Sequence, residues 1–227
     1  PVDPGWSFYI KKGDVLKFNA ARHGFRSYLA IGGEWHLPEP ILDSYSTDIL
    51  AGFGGLTGKA LQAGDSFDIT PRYNTKVGLG AMLPPKSTQI RIHAAPHAAL
   101  LPKETIVNFI NHSWHVSPNS NRMGTRLLSD ECDISHDVSL PSMAVAPGCI
   151  QLPPNGEPIV LLNDAQTTGG YPLLGTVIEA DLRHFAQLKP GDFLHFKFVT
   201  LKEAHAAQEK LTAHLNQLAI ALNYINK

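Results

Sequence analysis

Lys189-Pro190-Gly191-Asp192-Phe193-Leu194-His195-Phe196 joins a Gly-Asp turn to an alternating apolar run, and that pairing reads as a hairpin or barrel corner. The pattern occurs twice upstream, as Lys11-Lys12-Gly13-Asp14-Val15-Leu16-Lys17-Phe18 and Gln62-Ala63-Gly64-Asp65-Ser66-Phe67-Asp68-Ile69. The three glycines lie 51 and then 127 residues apart, and unequal spacing favours a reused turn over a duplicated unit, because true repeats keep a fixed period. Around these corners, segments 8–10, 15–18, 27–31, 66–69, 89–92, 105–110, 159–162 and 193–199 are short and rich in β-branched or aromatic residues. Nineteen glycines and 17 prolines punctuate them, so the expected class is all-β.

The last segment departs from this pattern. Thr200-Leu201-Lys202-Glu203 has the form of a capping box, and Leu211, Leu215, Leu218, Leu222 and Ile225 follow at alternating steps of four and three. This predicts an amphipathic helix of about 25 residues whose stripe packs on its own domain.

A length of 227 residues allows one large domain or two small ones. Hydrophobic residues at 43% and charged residues at 17% mark a globular chain. A net charge of -1 without any basic run argues against nucleic acid, and no apolar stretch is long enough to span a bilayer. Two cysteines, Cys132 and Cys149, are too few for a disulfide framework and fit a reduced, cytoplasmic setting. Strand-like sequence is already under way at residues 6–10, from which the first domain is expected to lack an upstream segment.

Gly52-Phe-Gly-Gly-Leu-Thr-Gly-Lys59-Ala60 imitates a phosphate loop but has Phe53 where the first glycine belongs and Ala60 where a hydroxyl should meet magnesium. It reads as a flexible turn at a strand edge. Among the eleven histidines, the closest pairs are His112/His115 and His93/His97. The first pair would face opposite sides of a strand and Pro96 breaks any helix holding the second, so no metal is expected. No Gly-x-Ser-x-Gly elbow supports a serine hydrolase.

Two segments carry more chemistry. Ser120-Asn121-Arg122-Met123-Gly124-Thr125-Arg126-Leu127 sets two guanidinium forks four residues apart, suited to carboxylate or phosphate, although a solvated surface turn fits these residues equally well. Asn163-Asp164-Ala165-Gln166-Thr167-Thr168-Gly169-Gly170-Tyr171-Pro172 packs an acid, an amide, two hydroxyls and paired glycines into one loop after an apolar strand. Such a loop suits an amide or urea-like ligand.

Taken in order, Ser120-Asn-Arg-Met-Gly-x-Arg-Leu127, Pro147-Gly-Cys-Ile-Gln-Leu-Pro-Pro-Asn-Gly-Glu-Pro-Ile159, Asp164-x-Gln-Thr-Thr-Gly-Gly-Tyr-Pro172 and Ala186-Gln-Leu-Lys-Pro-Gly-Asp192 resemble the allophanate hydrolase subunit 2 family. Tyr28-Leu-Ala-Ile-Gly-Gly33 and the segment from Ala51 to Asp65 are similar to it as well. The sequence departs from that family in lacking a glycine- and proline-rich N-terminal segment and in carrying Leu173 where a basic residue is common.

The resemblance implies two cyclophilin-like β-barrel halves, residues 1–86 and 87–227, the second ending in the helix. It implies the C subunit of an ATP-dependent 5-oxoprolinase that opens 5-oxoproline to glutamate, inactive without its A and kinase-inhibitor-like B partners. ATP then enters at the level of the complex. Alternatives under the same resemblance are the carboxyltransferase component of a biotin-dependent urea carboxylase and a non-catalytic antagonist of a kinase inhibitor. Met82 and Met143 lie in Ala-Met-Leu and Ser-Met-Ala, so no Ala-Met-Lys-Met biotin carrier is present. Within that implied role, Asp164, Arg122 and Arg126 are the expected catalytic residues, and Asn121, Gln166, Thr167, Thr168, Gly169, Gly170 and Tyr171 the expected substrate-binding ones.

Overall fold

Alternation decides where the sheet forms. In Phe193–Phe198, Leu194 and Phe196 are buried while Phe193, His195 and Lys197 face out, which is the two-residue period of a half-buried strand. The computed structural model describes residues 2–71, 78–82 and 85–225. Pro1 and the side chain of Ile225 lie outside the described residues.

The elements run β1 (Glu34–His36), β2 (Asp68–Thr70), β3 (Gln89–Ala94), a 3-10 turn (Pro96–Leu100), α1 (Lys103–Asn111), β4 (Trp114–Val116) and β5 (Gly124–Leu128). There follow β6 (Met143–Ala144), β7 (Cys149–Gln151), β8 (Ile159–Leu161), β9 (Thr168–Gly169), β10 (Leu173–Val177), α2 (Glu179–Phe185), β11 (Phe193–Phe198) and α3 (Leu201–Ile225). Seven strands close a barrel in the order β10-β3-β11-β4-β5-β8-β7, with β3 and β11 parallel and the other neighbours antiparallel. Closure leaves no free edge in the barrel, and the class is mainly β with a C-terminal helix, as expected.

Ile90, Ile92, Trp114, Leu127, Ile150, Val160, Leu174 and Leu194 fill the interior. Phe109 stacks on Phe196 at 4.7 Å, and Trp114 Nε1 donates to the Phe109 carbonyl at 2.9 Å. Phe109 belongs to α1, whereas the sequence predicts a strand at residues 105–110. Thr105 and Phe109 are buried four residues apart and Ile106 and Ile110 lean on the same core. The apolar period is therefore helical, and it overrides the β-branched composition.

The three Gly-Asp corners share one geometry. The N–H groups of Asp14, Asp65 and Asp192 donate to the carbonyls of Lys11, Gln62 and Lys189 at 3.0, 3.1 and 2.9 Å. Each carboxylate in turn accepts from the N–H of that same residue. Gly13, Gly64 and Gly191 take φ of 93°, 100° and 84°, the left-handed value that this turn requires. The third corner leads into β11 and the second into β2.

The expected strands at 8–10, 15–18 and 27–31 are not formed. Val15, Phe18 and Tyr28 are 89%, 66% and 93% exposed there, without the neighbouring ladder or buried face that turns an alternating run into a strand. Among the described residues of 2–82, the regular structure is the β1–β2 ribbon with three isolated bridges. Gln187 ties this part to the barrel, its Oε1 accepting from the N–H groups of Phe25 and Arg26 at 2.8 and 2.9 Å.

The capping box of α3 is reciprocal: Thr200 N–H donates to Glu203 Oε2 at 2.7 Å, and Glu203 N–H donates to Thr200 Oγ1 at 3.2 Å. The stripe beyond it packs only in part, with Leu211, Leu218 and Leu222 half-buried and Leu215 55% exposed. Thr200→Ala is expected to lower stability by about 1 kcal/mol in urea unfolding, the cost typical of a lost N-cap. An unchanged midpoint would show that the cap contributes nothing.

Candidate functional site

The two motif segments meet because β5 and β8 are antiparallel neighbours. Gly124 pairs with Leu161, Thr125 with Val160 and Arg126 with Ile159, so the loop entering β5 and the loop leaving β8 share one end of the barrel. Leu162 N–H donates to the Met123 carbonyl at 2.9 Å and Asp164 N–H to that of Arg122 at 3.4 Å. On this frame Arg122 Nε pairs with Asp164 Oδ2 at 2.8 Å. The two side chains remain 55% and 33% exposed, so a ligand can reach both. The shortest contact of the pair is made through Nε, and the exposed guanidinium suits a second anion.

Other expected residues are placed differently. Asn121 Oδ1 accepts from the N–H groups of Met123 and Gly124 at 2.9 and 3.3 Å, so this acceptor shapes the turn. Arg126 is exposed on β5 and does not join the ion pair. The Thr167 carbonyl accepts from Val145 N–H at 2.9 Å, and Thr168 and Gly169 form β9 against Met143 and Ala144. Tyr171 is 44% exposed beside them.

Neither Gly169 nor Gly170 has a left-handed backbone. Close approach explains both. A Cβ on Gly170 would sit 3.1 Å from the Leu140 carbonyl oxygen, and one on Gly169 would collide with Nε2 of Gln151. Gln151 is absent from the residues expected in the site, although it lies within a family-like motif. It is 2% exposed at the end of β7, and its Oε1 accepts from Gln166 Nε2 at 3.4 Å. The available signal is an amide inside the apolar run Cys149-Ile150-Gln151-Leu152, since buried polar groups need a reason to be there.

The glycine-rich loop is remote from this end of the barrel in sequence and lines a cavity of about 200 Å³ with Pro38, Ile41 and Tyr45. It is a compact turn, with Gly54 and Gly55 packed against Ser46 and Thr47. His112 caps α1, its Nδ1 bonded to the Asn108 carbonyl oxygen at 2.9 Å, while His115 belongs to β4. The two histidines therefore do not share a strand.

Residues 1–198 match the carboxyltransferase domain, subdomain A and B, family. The 5-oxoprolinase C subunit of Escherichia coli strain K12 is 38% identical over 223 residues, covering 98% of this chain and 72% of the relative. The corresponding C subunit of the Haemophilus influenzae 5-oxoprolinase is 34% identical over 218 residues, covering 96% of this chain and 70% of the relative. Among solved structures, the Kluyveromyces lactis urea carboxylase superposes with a TM-score of 0.73 at 27% identity, covering 87% of this chain. This chain spans only 20% of that much longer protein.

Proposed function

The chain belongs to the carboxyltransferase domain, subdomain A and B, family, and from that premise we propose that it is the C subunit of a 5-oxoprolinase, part of an enzyme that opens 5-oxoproline to glutamate. The observation that carries this reading is the Arg122–Asp164 pair at the mouth formed by β5 and β8, held by two segments of family-like sequence. The substrate has two features to recognise, a carboxylate and a lactam. The Arg122 guanidinium suits the carboxylate, and Asp164 is assigned to take the proton of a water molecule attacking the lactam carbonyl and to pass it to the ring nitrogen as the C–N bond breaks. Gln166, Thr167, Thr168, Gly169, Gly170 and Tyr171 are assigned to the rim around the lactam, with Asn121 shaping the turn that carries Arg122 and Arg126 adding positive charge nearby.

Dependence on ATP, silence in the absence of partners, and the two partners themselves, the A and B subunits, are part of the same proposal. So are the halves 1–86 and 87–227 and a cytoplasmic setting. The nucleotide is assigned to the partners. The loop at Gly52–Lys59 does not fit a triphosphate, because Ala60 offers no hydroxyl to magnesium and Gly54 and Gly55 are packed against Ser46 and Thr47. The urea carboxylase likeness supports the alternative of carboxyl transfer, in which the same groups would hold a urea or biotin carbonyl.

Arg122→Lys in the assembled enzyme separates the readings. It keeps the charge and loses the fork, so KM for 5-oxoproline should rise about tenfold, equivalent to roughly 1.4 kcal/mol of lost binding, with kcat and melting temperature nearly unchanged. An unaltered KM would remove Arg122 from the carboxylate site.

A further inference from the structure

We propose that Gln151 supplies the hydrogen-bond donor that holds the carbonyl oxygen of a small amide or lactam in this site. The inference rests on the reading above that the mouth formed by β5 and β8, with the loop running on to β9, binds such a ligand, and it names a residue which that reading leaves out. Gln151 is 2% exposed, and its Nε2 has no hydrogen-bond partner among the described residues. Its Oε1 accepts from Gln166 Nε2 at 3.4 Å, which leaves the donor end over. A buried N–H group without an acceptor destabilises a fold, and an apolar side chain of similar size would fill β7 without that cost. The retained amide is therefore matched to an acceptor that the chain itself does not provide.

The surroundings say what kind of acceptor this is. Gly169 lies directly against Nε2, at a distance that no Cβ could share. That cover is slight: β9 is two residues long, and its ladder is the two pairs to β6 together with the Val145 to Thr167 bond. Displacing β9 would uncover the amide beside Gln166. A neutral amide N–H suits a carbonyl oxygen, whereas a carboxylate is better met by the exposed Arg122 fork.

The test uses the enzyme assembled from this chain and its two partners, with wild type, Gln151→Leu and Gln151→Glu compared. Gln151→Leu is expected to melt at or above the wild-type temperature, because it removes an unpaired buried donor. Its kcat/KM for 5-oxoproline is expected to fall at least about tenfold, and Gln151→Glu, with no N–H to give, at least as far. Wild-type kcat/KM in Gln151→Leu overturns the inference.

A wild-type assembly that fails to turn over 5-oxoproline overturns the proposed function instead. Gln151 is then read directly from the ¹⁵N-labelled full chain titrated with 2-pyrrolidone, a lactam without a carboxylate. A shift of the Gln151 side-chain amide resonance, assigned by its absence in Gln151→Leu, sustains the donor role, and an unmoved resonance ends it. If Gln151→Leu fails to fold, the same resonance, assigned through Gln151→Glu, decides.

Discussion

Asp164→Asn in the assembled enzyme is expected to lower kcat for 5-oxoproline by about 100-fold, the low end of what a positioned general base contributes, without raising KM. The substitution keeps the shape of the side chain, and the backbone frame around it does not depend on the carboxylate, since Asp164 N–H donates to the Arg122 carbonyl and Leu162 N–H to that of Met123. It removes the charge that Arg122 Nε meets at 2.8 Å. The guanidinium, relieved of its partner, then attracts a substrate carboxylate at least as strongly as before. A base that becomes an amide therefore loses turnover while binding is kept or improved. Steady-state kinetics with unchanged melting temperature would establish the split. A raised KM with wild-type kcat would make the pair a binding clamp and nothing more.

Gly169→Ala is expected to abolish turnover and to cost about 1–3 kcal/mol of stability, the usual range for overpacking against a buried side chain. The added Cβ meets the Gln151 amide, which is buried and tied to Gln166, so that either the amide or β9 has to move. Gly170→Ala provides the internal control. Its Cβ would sit 3.1 Å from the Leu140 carbonyl oxygen, a tight contact that a small loop adjustment relieves, and its loss of rate should be the smaller of the two. Equal behaviour of the two variants would contradict the account of Gly169 as the cover over Gln151.

Much of the fold is legible in the sequence where chemistry is local. The Gly-Asp corners announce themselves because a left-handed residue followed by a carboxylate that bonds back to the turn depends on adjacent residues alone. The capping box at Thr200 and Glu203 is readable for the same reason. Segment 105–110 misleads because Thr105, Ile106, Val107 and Ile110 have strand-like composition, while the decisive fact is a barrel interior that Phe109 shares with Phe196. The alternating runs before residue 32 are likewise complete as patterns, yet no ladder forms there among the described residues.

The site divides along the same line. Arg122 and Asp164 are legible as residue types, but their pairing depends on β5 lying beside β8, a contact between distant segments. Arg126 has the same chemistry as Arg122, yet it is exposed on β5 and stands outside the ion pair. Gln151 is hidden because an amide in an apolar strand becomes informative only when its burial and its missing partner are known.

The most direct measurement of the central claim is glutamate release from 5-oxoproline by the assembled enzyme, with this chain and each of its two partners omitted in turn. The account predicts ATP-dependent release only when all three are present, and a fall of at least about 100-fold when Asp164→Asn replaces the wild-type chain. Undiminished glutamate release by the two partners without this chain, or carboxylation of urea in place of lactam opening, would contradict it.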